Sequence, residues 1–299
     1  MKIRHLIISL FFLITSCTSR EQTVDINKLL GNDYRLFQDT PAWTLAKAVE
    51  DEDETLIKKI VNEKQVDVDF KEKRFGQTLL MLAVTNQQYN SCKTLLELGA
   101  DPNKYDSYDG SNAMIEAAQV SNITGDNTKF LRLLLQFKGN PDFVEVGPRR
   151  KGNSTRNSVL ISAVKINEIQ SSLGMVKLLV EAGADGNYRN EFGQTALKQA
   201  IILDVYDVAL YLLQKGADYN EEIVDRGKYS TDGKKIYLVD MLREFTPELN
   251  SIKHKQKLAI IDFLKQNGID YKAVPIPGFV LEKIKKDHSK NWKEYIEQY

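Results

Sequence analysis

A short apolar pattern, Leu-x-x-Ala, returns along the chain, and this repetition limits the possible folds more than any other feature of the sequence. Its copies, one of which has Met in place of Leu, are Leu45/Ala48, Leu80/Ala83, Met114/Ala117, Leu160/Ala163 and Leu197/Ala200. Downstream of three copies stands a Leu-Leu pair followed by Gly-Ala-Asp, ending at Asp101, Asp185 and Asp218. A repeat of about 33 residues predicts a solenoid, in which each repeat buries its apolar face against its neighbours.

The pattern predicts six repeats, each made of two helices and an outward loop. We place them at residues 43–70, 75–103, 109–142, 157–188, 192–219 and 236–271. Alanine three residues after leucine shares its helical face and allows close packing of the paired helices. Glycine after the second helix predicts a left-handed cap, and in repeat three Lys138 takes the glycine position. The predicted fold class is therefore all-α, with about six helix-turn-helix repeats and a C-terminal capping helix.

Two segments carry a resemblance to a known family: Phe75-Gly76-Gln77-Thr78-Leu79-Leu80 and Phe192-Gly193-Gln194-Thr195-Ala196-Leu197. Glycine allows a left-handed turn before the helix, and Thr78 or Thr195 caps its first backbone donors. Both segments resemble the ankyrin repeat, although they lack the Pro and His of the family's Thr-Pro-Leu-His. The resemblance implies an ankyrin-repeat solenoid that binds a protein partner.

We divide the chain into four segments. They are a lipoprotein signal peptide over 1–16, a tether or linker over 17–40, the ankyrin-repeat array over 41–272 and a C-terminal capping helix over 273–299. The charged start at Lys2 and Arg4 precedes an apolar run that is too short to cross a bilayer, which is typical of a bacterial export signal.

Small residues before Cys17 resemble a lipobox, the site at which bacterial lipoproteins are cut and acylated. The resemblance implies that Cys17 is the lipidation site and that its lipid anchors the chain in the cell envelope, facing the periplasm. Thr18 in place of Asp favours the outer membrane over the inner membrane. The alternative is a plain secretory signal in which Cys17 is incidental.

Composition and motifs exclude several classes of function. Acidic and basic residues balance at 41 each, which argues against a nucleic-acid partner because phosphate recognition needs a basic surface. Known catalytic and cofactor motifs are missing, so we predict no enzyme activity, no catalytic residue, no cofactor and no metal. A calcium loop around Ser107–Gly110 is the alternative reading of a repeat turn, but Tyr105 stands where its first carboxylate belongs.

Cys92 is the second of the chain's two cysteines. It stands where other repeats carry apolar residues, so we interpret it as a small buried side chain, with a reactive thiol as the alternative.

Long insertions interrupt the array and indicate where a partner binds, since long loops in compact arrays are uncommon without a function. They lie at residues 119–129, 143–156, 220–235 and 246–257. One insertion is basic, and its candidate partner-binding residues are Arg149, Arg150, Lys151 and Arg156. Either this loop is merely solvated, or it contacts an acidic protein surface or an anionic membrane.

The outward turns carry aromatic side chains, which are common anchors of protein interfaces. The candidates for partner contact are Tyr105, Tyr108, Tyr188 and Tyr219. Stacking between neighbouring turns is the alternative role for each of them.

These observations predict a monomeric binding protein that is anchored to the bacterial envelope through its lipid. The most specific hypothesis is an immunity protein that occludes the catalytic cleft of a type VI secretion effector of the phospholipase type. That hypothesis follows from a resemblance in overall plan and not from composition or spacing. The alternative is an envelope scaffold that supports or protects a periplasmic enzyme, for example in oxidant defence.

Overall fold

The helices of this chain come in pairs, as the repeat predicts. The computed structural model describes residues 21–120, 126–148, 156–165, 171–225 and 235–299. Each of the six predicted repeats contains two helices within its predicted limits. The all-α fold class is therefore confirmed.

The helix bounds in repeats one to three are α1 (Trp43–Glu50), α2 (Glu54–Lys64), α3 (Leu79–Thr85), α4 (Tyr89–Glu97), α5 (Ala113–Gln119) and α6 (Lys129–Gln136). In repeats four to six they are α7 (Val159–Ala163), α8 (Leu173–Glu181), α9 (Ala196–Ile202), α10 (Tyr206–Gln214), α11 (Leu238–Glu244) and α12 (Ile252–Gln266). The tail adds α13 (Gly278–Asp287) and α14 (Trp292–Gln298).

The chain groups into two compact units. The first comprises the described residues of Met1–Val120, Phe130–Asn140 and Glu145–Ser154, and the second those of Ser121–Lys129, Pro141–Val144 and Thr155–Tyr299. In the first unit α3 packs against α1 and α5, while α4 packs against α2. In the second unit α9 packs against α7, and α10 packs against α8 and α12. Like helices of successive repeats therefore contact one another within each unit.

The leucine and alanine of the repeated pattern form the cores of these units. The first and last residues of all five Leu-x-x-Ala copies are at most 2% exposed. Cys92 is fully buried within α4, which confirms that it serves as a small apolar side chain. Because burial of apolar surface contributes roughly 25 cal/mol per Å², this shared spine is the main source of stability.

Hydroxyl and amide side chains begin the first helix of four repeats. Thr78 and Thr195 accept hydrogen bonds from the backbone N–H of Met81 and Lys198, at 3.4 and 3.1 Å, as predicted. Asn112 and Ser158 do the same for α5 and α7. These caps satisfy backbone donors that a helix start otherwise leaves unpaired.

The second helix of repeats two, four, five and six ends at a glycine with positive φ, between 83° at Gly268 and 100° at Gly183. In repeat three Lys138 has a φ of 68° and takes the place of that glycine, which confirms the predicted alignment. The residue after the cap donates its N–H to the carbonyl five residues earlier, as Ala100 does to Leu95 at 3.0 Å. Hydrogen bonds from these backbone N–H groups satisfy the last carbonyls of the helix.

Aspartate and asparagine in the outward loops connect successive repeats. Each accepts a hydrogen bond from the backbone of the next loop. Such contacts within the compact units include Asp69 with Asp101 N–H, Asn103 with Asn140 N–H, Asp142 with Asp185 N–H and Asn187 with Asp218 N–H, at 3.0, 2.7, 2.6 and 3.1 Å. The aspartate of Gly-Ala-Asp is therefore part of a ladder that holds the loops in register.

The insertion at 220–235 contains two short strands that the sequence did not predict. They are β1 (Glu222–Asp225) and β2 (Lys235–Tyr237), paired antiparallel with an irregularity between Glu222 and Val224. β2 leads directly into α11, so the strand pair fixes the start of repeat six.

The tether predicted over 17–40 is wrong for its second half. Tyr34, Leu36 and Phe37 are buried, and the rings of Phe37 and Phe70 lie 6.3 Å apart. Short 3-10 turns at Ile26–Lys28 and Tyr34–Phe37 are capped by aspartates. Residues before position 21, including Cys17 and the predicted signal peptide, lie outside the described residues.

The predicted single capping helix over 273–299 consists of two helices, α13 and α14. Val280, Ile284, Tyr295 and Tyr299 form their buried cluster. Phe279 stays outside this cluster and is 60% exposed, because it lies about 100° around α13 from Val280. In the described part of the chain, no helix has both the length and the apolar character needed to cross a membrane.

The insertion at 246–257 was predicted to be a loop, but its second half belongs to α12 and α14 packs over it. Tyr295 donates its hydroxyl to the carbonyl of Pro247 at 2.6 Å. His254 accepts the N–H of Asn250 at Nδ1, so its Nε2 is assigned as the donor to the carbonyl of Gln298, 3.2 Å away. This segment is therefore part of the C-terminal core.

Two buried basic side chains, Lys257 and Arg243, lie beneath α14. Lys257 is fully buried; its Nζ donates to the carbonyl of Phe245 at 2.8 Å and lies 3.5 Å from the ring centre of Tyr299. The guanidinium of Arg243 stacks at 3.8 Å on Tyr271. Burial, together with the charge of Arg243, lowers the pKa of Lys257 to about 6.

The substitution Gly139→Ala tests the fit between repeat three's helix and loop. A Cβ at Gly139 would lie 2.5 Å from Sδ of Met114, whereas repeats two, four and five pair leucine with alanine at these two places. We expect Gly139→Ala to lower the unfolding free energy by about 1–3 kcal/mol, measured by urea denaturation. Adding Met114→Leu should recover most of that loss, and strict additivity of the two changes would contradict this explanation.

The substitution Lys257→Met tests the buried amine. An unfolded lysine stays protonated to about pH 10.4, while folded Lys257 is neutral above about pH 6, so unfolding takes up a proton between these values. Stability of the unmodified chain should therefore rise with pH in that window. We expect Lys257→Met to raise the unfolding free energy at pH 7 by about 1–4 kcal/mol, with a gain that shrinks toward pH 9.5.

The matched control is Lys283→Met on the exposed side of α13, which should leave the unfolding free energy and its pH dependence unchanged. A Lys257→Met protein that is less stable at every pH would show that the cation–aromatic contact outweighs the cost of burial.

Candidate partner-binding surface

Two outward turns of the first compact unit form the candidate surface. We call them finger A (residues 71–77) and finger B (residues 104–111). Finger A is organised by Glu72, whose buried carboxylate accepts the backbone N–H groups of Arg74, Phe75 and Gln77 at 2.6–2.9 Å. The backbone of Glu72 in turn donates to Gln77 at 3.0 Å. One carboxylate thus satisfies donors that a bare turn leaves to water.

Finger B has the same construction around Asp106. Its buried Oδ1 accepts the N–H groups of Tyr108, Asp109 and Gly110 at 2.7–2.9 Å, and its own N–H donates to Ser111 at 2.8 Å. A related turn in the second compact unit is built on Asn190, which accepts from Phe192 and Gln194. The turn tips are therefore held by internal hydrogen bonds.

Glycine is required in both fingers of the first unit. Gly76 and Gly110 have φ values of 76° and 67°. A Cβ at Gly76 would lie 2.3 Å from Oγ of Ser107, and a Cβ at Gly110 would lie 1.8 Å from the backbone nitrogen of Gly147. The glycines therefore allow both a left-handed backbone and close approach of neighbouring turns.

Fingers A and B are joined to each other. The N–H of Ser107 donates to the carbonyl of Phe75 at 2.8 Å, and the rings of Phe75 and Tyr108 meet edge to face at 5.4 Å. Lys71 donates to the carbonyl of Tyr105, and its Nζ lies 4.8 Å from the Tyr105 ring. The two tips thus make one continuous surface of basic and aromatic side chains.

The structure separates the four predicted aromatic contacts into two classes. Tyr105 and Tyr108 are 49% and 44% exposed on finger B, and they remain candidates for partner contact. Tyr188 and Tyr219 are half-buried: Tyr188 donates to the carbonyl of Arg156 at 2.7 Å, and Tyr219 packs against Phe263 at 6.0 Å. Tyr108 also packs edge to face on Phe75 of the neighbouring turn, so the part of all four tyrosines in partner contact stays a prediction.

The basic residues of the 143–156 insertion are only partly described. Arg156 forms an ion pair with Glu191 at 3.2 Å. Arg149, Arg150 and Lys151 lie outside the described residues, so their role stays a prediction. Among the described residues, no group of three or more His, Cys, Asp and Glu side chains is placed to hold a metal ion.

The cations of finger A were not among the predicted partner-binding residues. Lys71 and Arg74 belong to the segment Lys71-Glu72-Lys73-Arg74-Phe75, which reads as a solvated charge run. Arg74 stacks on Phe75 at 4.5 Å and donates to the carbonyls of Ile26 and Leu29. The signal that was available was the single acidic residue within this run, which becomes the internal acceptor.

Comparison with known proteins agrees with the fold of paired helices and outward turns. The family described as ankyrin repeats (3 copies) matches residues 20–106, 45–144 and 125–223, which together span more than half of the chain. The chain therefore belongs to the ankyrin-repeat family, whose members are typically non-catalytic scaffolds for protein–protein interaction.

Two individual proteins are similar to parts of this chain. The nuclear factor NF-kappa-B p105 subunit of Gallus gallus is 31% identical over 151 residues, which is 50% of this chain but only 14% of the length of that protein. The crystal structure of EF0377, an ankyrin repeat protein, superposes with a TM-score of 0.50 at 24% identity, covering 75% of this chain and 96% of that chain. The second likeness bears on the fold alone.

Proposed function

We propose that this ankyrin-repeat chain is a lipid-anchored protein of the bacterial envelope that captures a protein partner through fingers A and B. The observation that carries the proposal is the exposure of Tyr105 and Tyr108 on finger B, whose backbone Asp106 holds through three hydrogen bonds. Rigid aromatic side chains contribute strongly to binding because little side-chain entropy is lost when the complex forms.

The envelope location rests on the first residues of the sequence. A charged start, a short apolar run and Cys17 after small residues have the order of a bacterial lipoprotein signal. Residue Thr18 favours the outer membrane. In this proposal the acylated Cys17 keeps the array on the periplasmic side.

The partner in this proposal is a phospholipase-type effector delivered by a type VI secretion system. The array acts as an immunity protein, which neutralises the effector by covering its catalytic cleft. Support comes from the combination of an export signal, few irregular repeats and a family whose members bind proteins. An envelope scaffold for a periplasmic enzyme is the competing proposal.

The substitution Cys17→Ser tests the anchor. We expect the unmodified chain to incorporate labelled palmitate and to sediment with outer-membrane fractions. Cys17→Ser should lose the label and accumulate with its signal uncleaved, whereas Cys92→Ser should behave like the unmodified chain. A label that persists in Cys17→Ser, or a soluble unmodified chain, would contradict lipid anchoring.

The double substitution Tyr105→Ala/Tyr108→Ala tests partner capture. The unmodified protein, purified in mild detergent, is mixed with a purified phospholipase-type effector of a type VI secretion system. We expect a stoichiometric complex in which lipase activity is lost, and an affinity about 10–100-fold lower for the double variant.

The control for that measurement is Phe279→Ala, which removes an exposed ring from α13 in the other compact unit. Its affinity for the effector should equal that of the unmodified protein. The absence of any complex at micromolar concentration would exclude the immunity role, and a complex that binds both variants equally would exclude fingers A and B.

A further inference from the structure

Fingers A and B turn their acidic groups inward and their basic groups outward. The carboxylates of Glu72 and Asp106 are buried and each accepts three backbone N–H groups. The remaining carboxylate, that of Asp109, is half-buried. The buried carboxylates of these turns therefore hold the backbone and do not face solvent, although both segments contain acidic and basic residues in the sequence.

Four cations belong to the same two fingers as the exposed rings. Lys73 and Lys104 are exposed, and Lys71 and Arg74 are half-exposed against aromatic rings. In the described part of the chain, none of the four forms an ion pair with a carboxylate. Their hydrogen bonds go to carbonyl oxygens instead, from Lys71 to Tyr105 and from Arg74 to Ile26 and Leu29. Their positive charge is therefore compensated only in part, by the Coulomb attraction between Lys104 and the carboxylate of Asp69.

Apolar surface lies between and beside these cations. Tyr105 and Tyr108 present exposed rings, and Leu30, next to the carbonyl that Arg74 binds, is 74% exposed. A ligand that matches this surface carries several carboxylates together with apolar side chains. From this charge pattern we infer that fingers A and B bind an acidic segment of a protein partner, with its carboxylates on the cations and its apolar side chains on Tyr105, Tyr108 and Leu30.

An acidic protein segment fits better than a membrane or a nucleic acid. Both of those polyanions require many cations spread over a broad surface, and the chain as a whole has no net charge. A group of four cations with two exposed rings on adjacent turns suits one short acidic segment. The attraction between a cation and an aromatic ring holds Lys71 and Arg74 in place without an ion-pair partner that a ligand would have to displace.

This inference deepens the proposed function, and its test is independent of any particular effector. The complete protein in mild detergent is used to select binders from an unbiased display library of random dodecapeptides. We expect the enriched peptides to be strongly acidic and to contain aromatic or branched aliphatic residues. Their affinity should fall as salt is raised, because exposed charges are screened.

Variants then locate the binding site. Lys73→Glu/Lys104→Glu reverses two exposed side chains that make no described hydrogen bond, so the fold should be unchanged by circular dichroism and thermal midpoint. We expect this variant to weaken the selected peptides at least tenfold, mainly through slower association. Lys283→Glu/Lys286→Glu, a matched reversal on exposed positions of α13, should leave binding unchanged.

Three results would overturn the inference. They are enrichment of neutral or basic peptides, equal binding by Lys73→Glu/Lys104→Glu, and binding of phosphatidylglycerol vesicles or single-stranded oligonucleotides where acidic peptides fail. This test can fail or succeed independently of the immunity role. If acidic peptides bind fingers A and B but no effector complex forms, the inference about the acidic segment stands and the immunity role is excluded. If an effector complex forms but is insensitive to the charge reversal, the immunity role stands and the inference is excluded.

Discussion

Burial of leucine and alanine between neighbouring helix pairs is the interaction on which the rest of the structure depends. One pair of short helices cannot cover its own apolar face, and helices such as α7, with five residues, are far below the length at which an isolated helix is stable. Contact with the next repeat supplies the missing surface, so each repeat is stable only beside another. The capping groups at Thr78, Asn112, Ser158 and Thr195 then decide where each helix begins.

The turns follow a second constraint, which is that backbone N–H groups must find acceptors. Fingers A and B solve it with a buried carboxylate each, and this choice has an electrostatic consequence. A carboxylate that accepts three N–H groups faces inward, so the lysines and arginine of the same segment remain on the outside. A local hydrogen-bond requirement thereby produces a basic and aromatic surface in a chain without net charge.

The C-terminal end shows how a terminal repeat departs from the pattern. Repeat six buries the basic side chains of Arg243 and Lys257 in its core. The rings of Tyr271 and Tyr299 and the carbonyl of Phe245 surround these side chains. Helix α14, which Tyr299 follows directly, also covers the insertion at 246–257, so a segment that was predicted to be a loop belongs to the core.

Much of the fold was predictable from the sequence because its signals are local. The helix pairs, the caps at Thr78 and Thr195, the left-handed Lys138 and the buried Cys92 all depend on residues within one repeat or on equivalence between repeats. Predictions failed where distant segments meet: at the packed residues 29–37, at α13 and α14, and at the strands β1 and β2. Contacts between distant segments produce no periodic pattern in the sequence.

The candidate surface divides in the same way. The sequence by itself determined that the outward turns carry aromatic side chains, and that glycines shape these turns. Only the tertiary structure decided that Tyr105 and Tyr108 face solvent while Tyr188 and Tyr219 pack inside, and that Lys71 and Arg74 join the exposed rings. The physical reason is that the direction of a side chain in a turn depends on which backbone donors its neighbours satisfy, and that is settled only when adjacent turns come into contact.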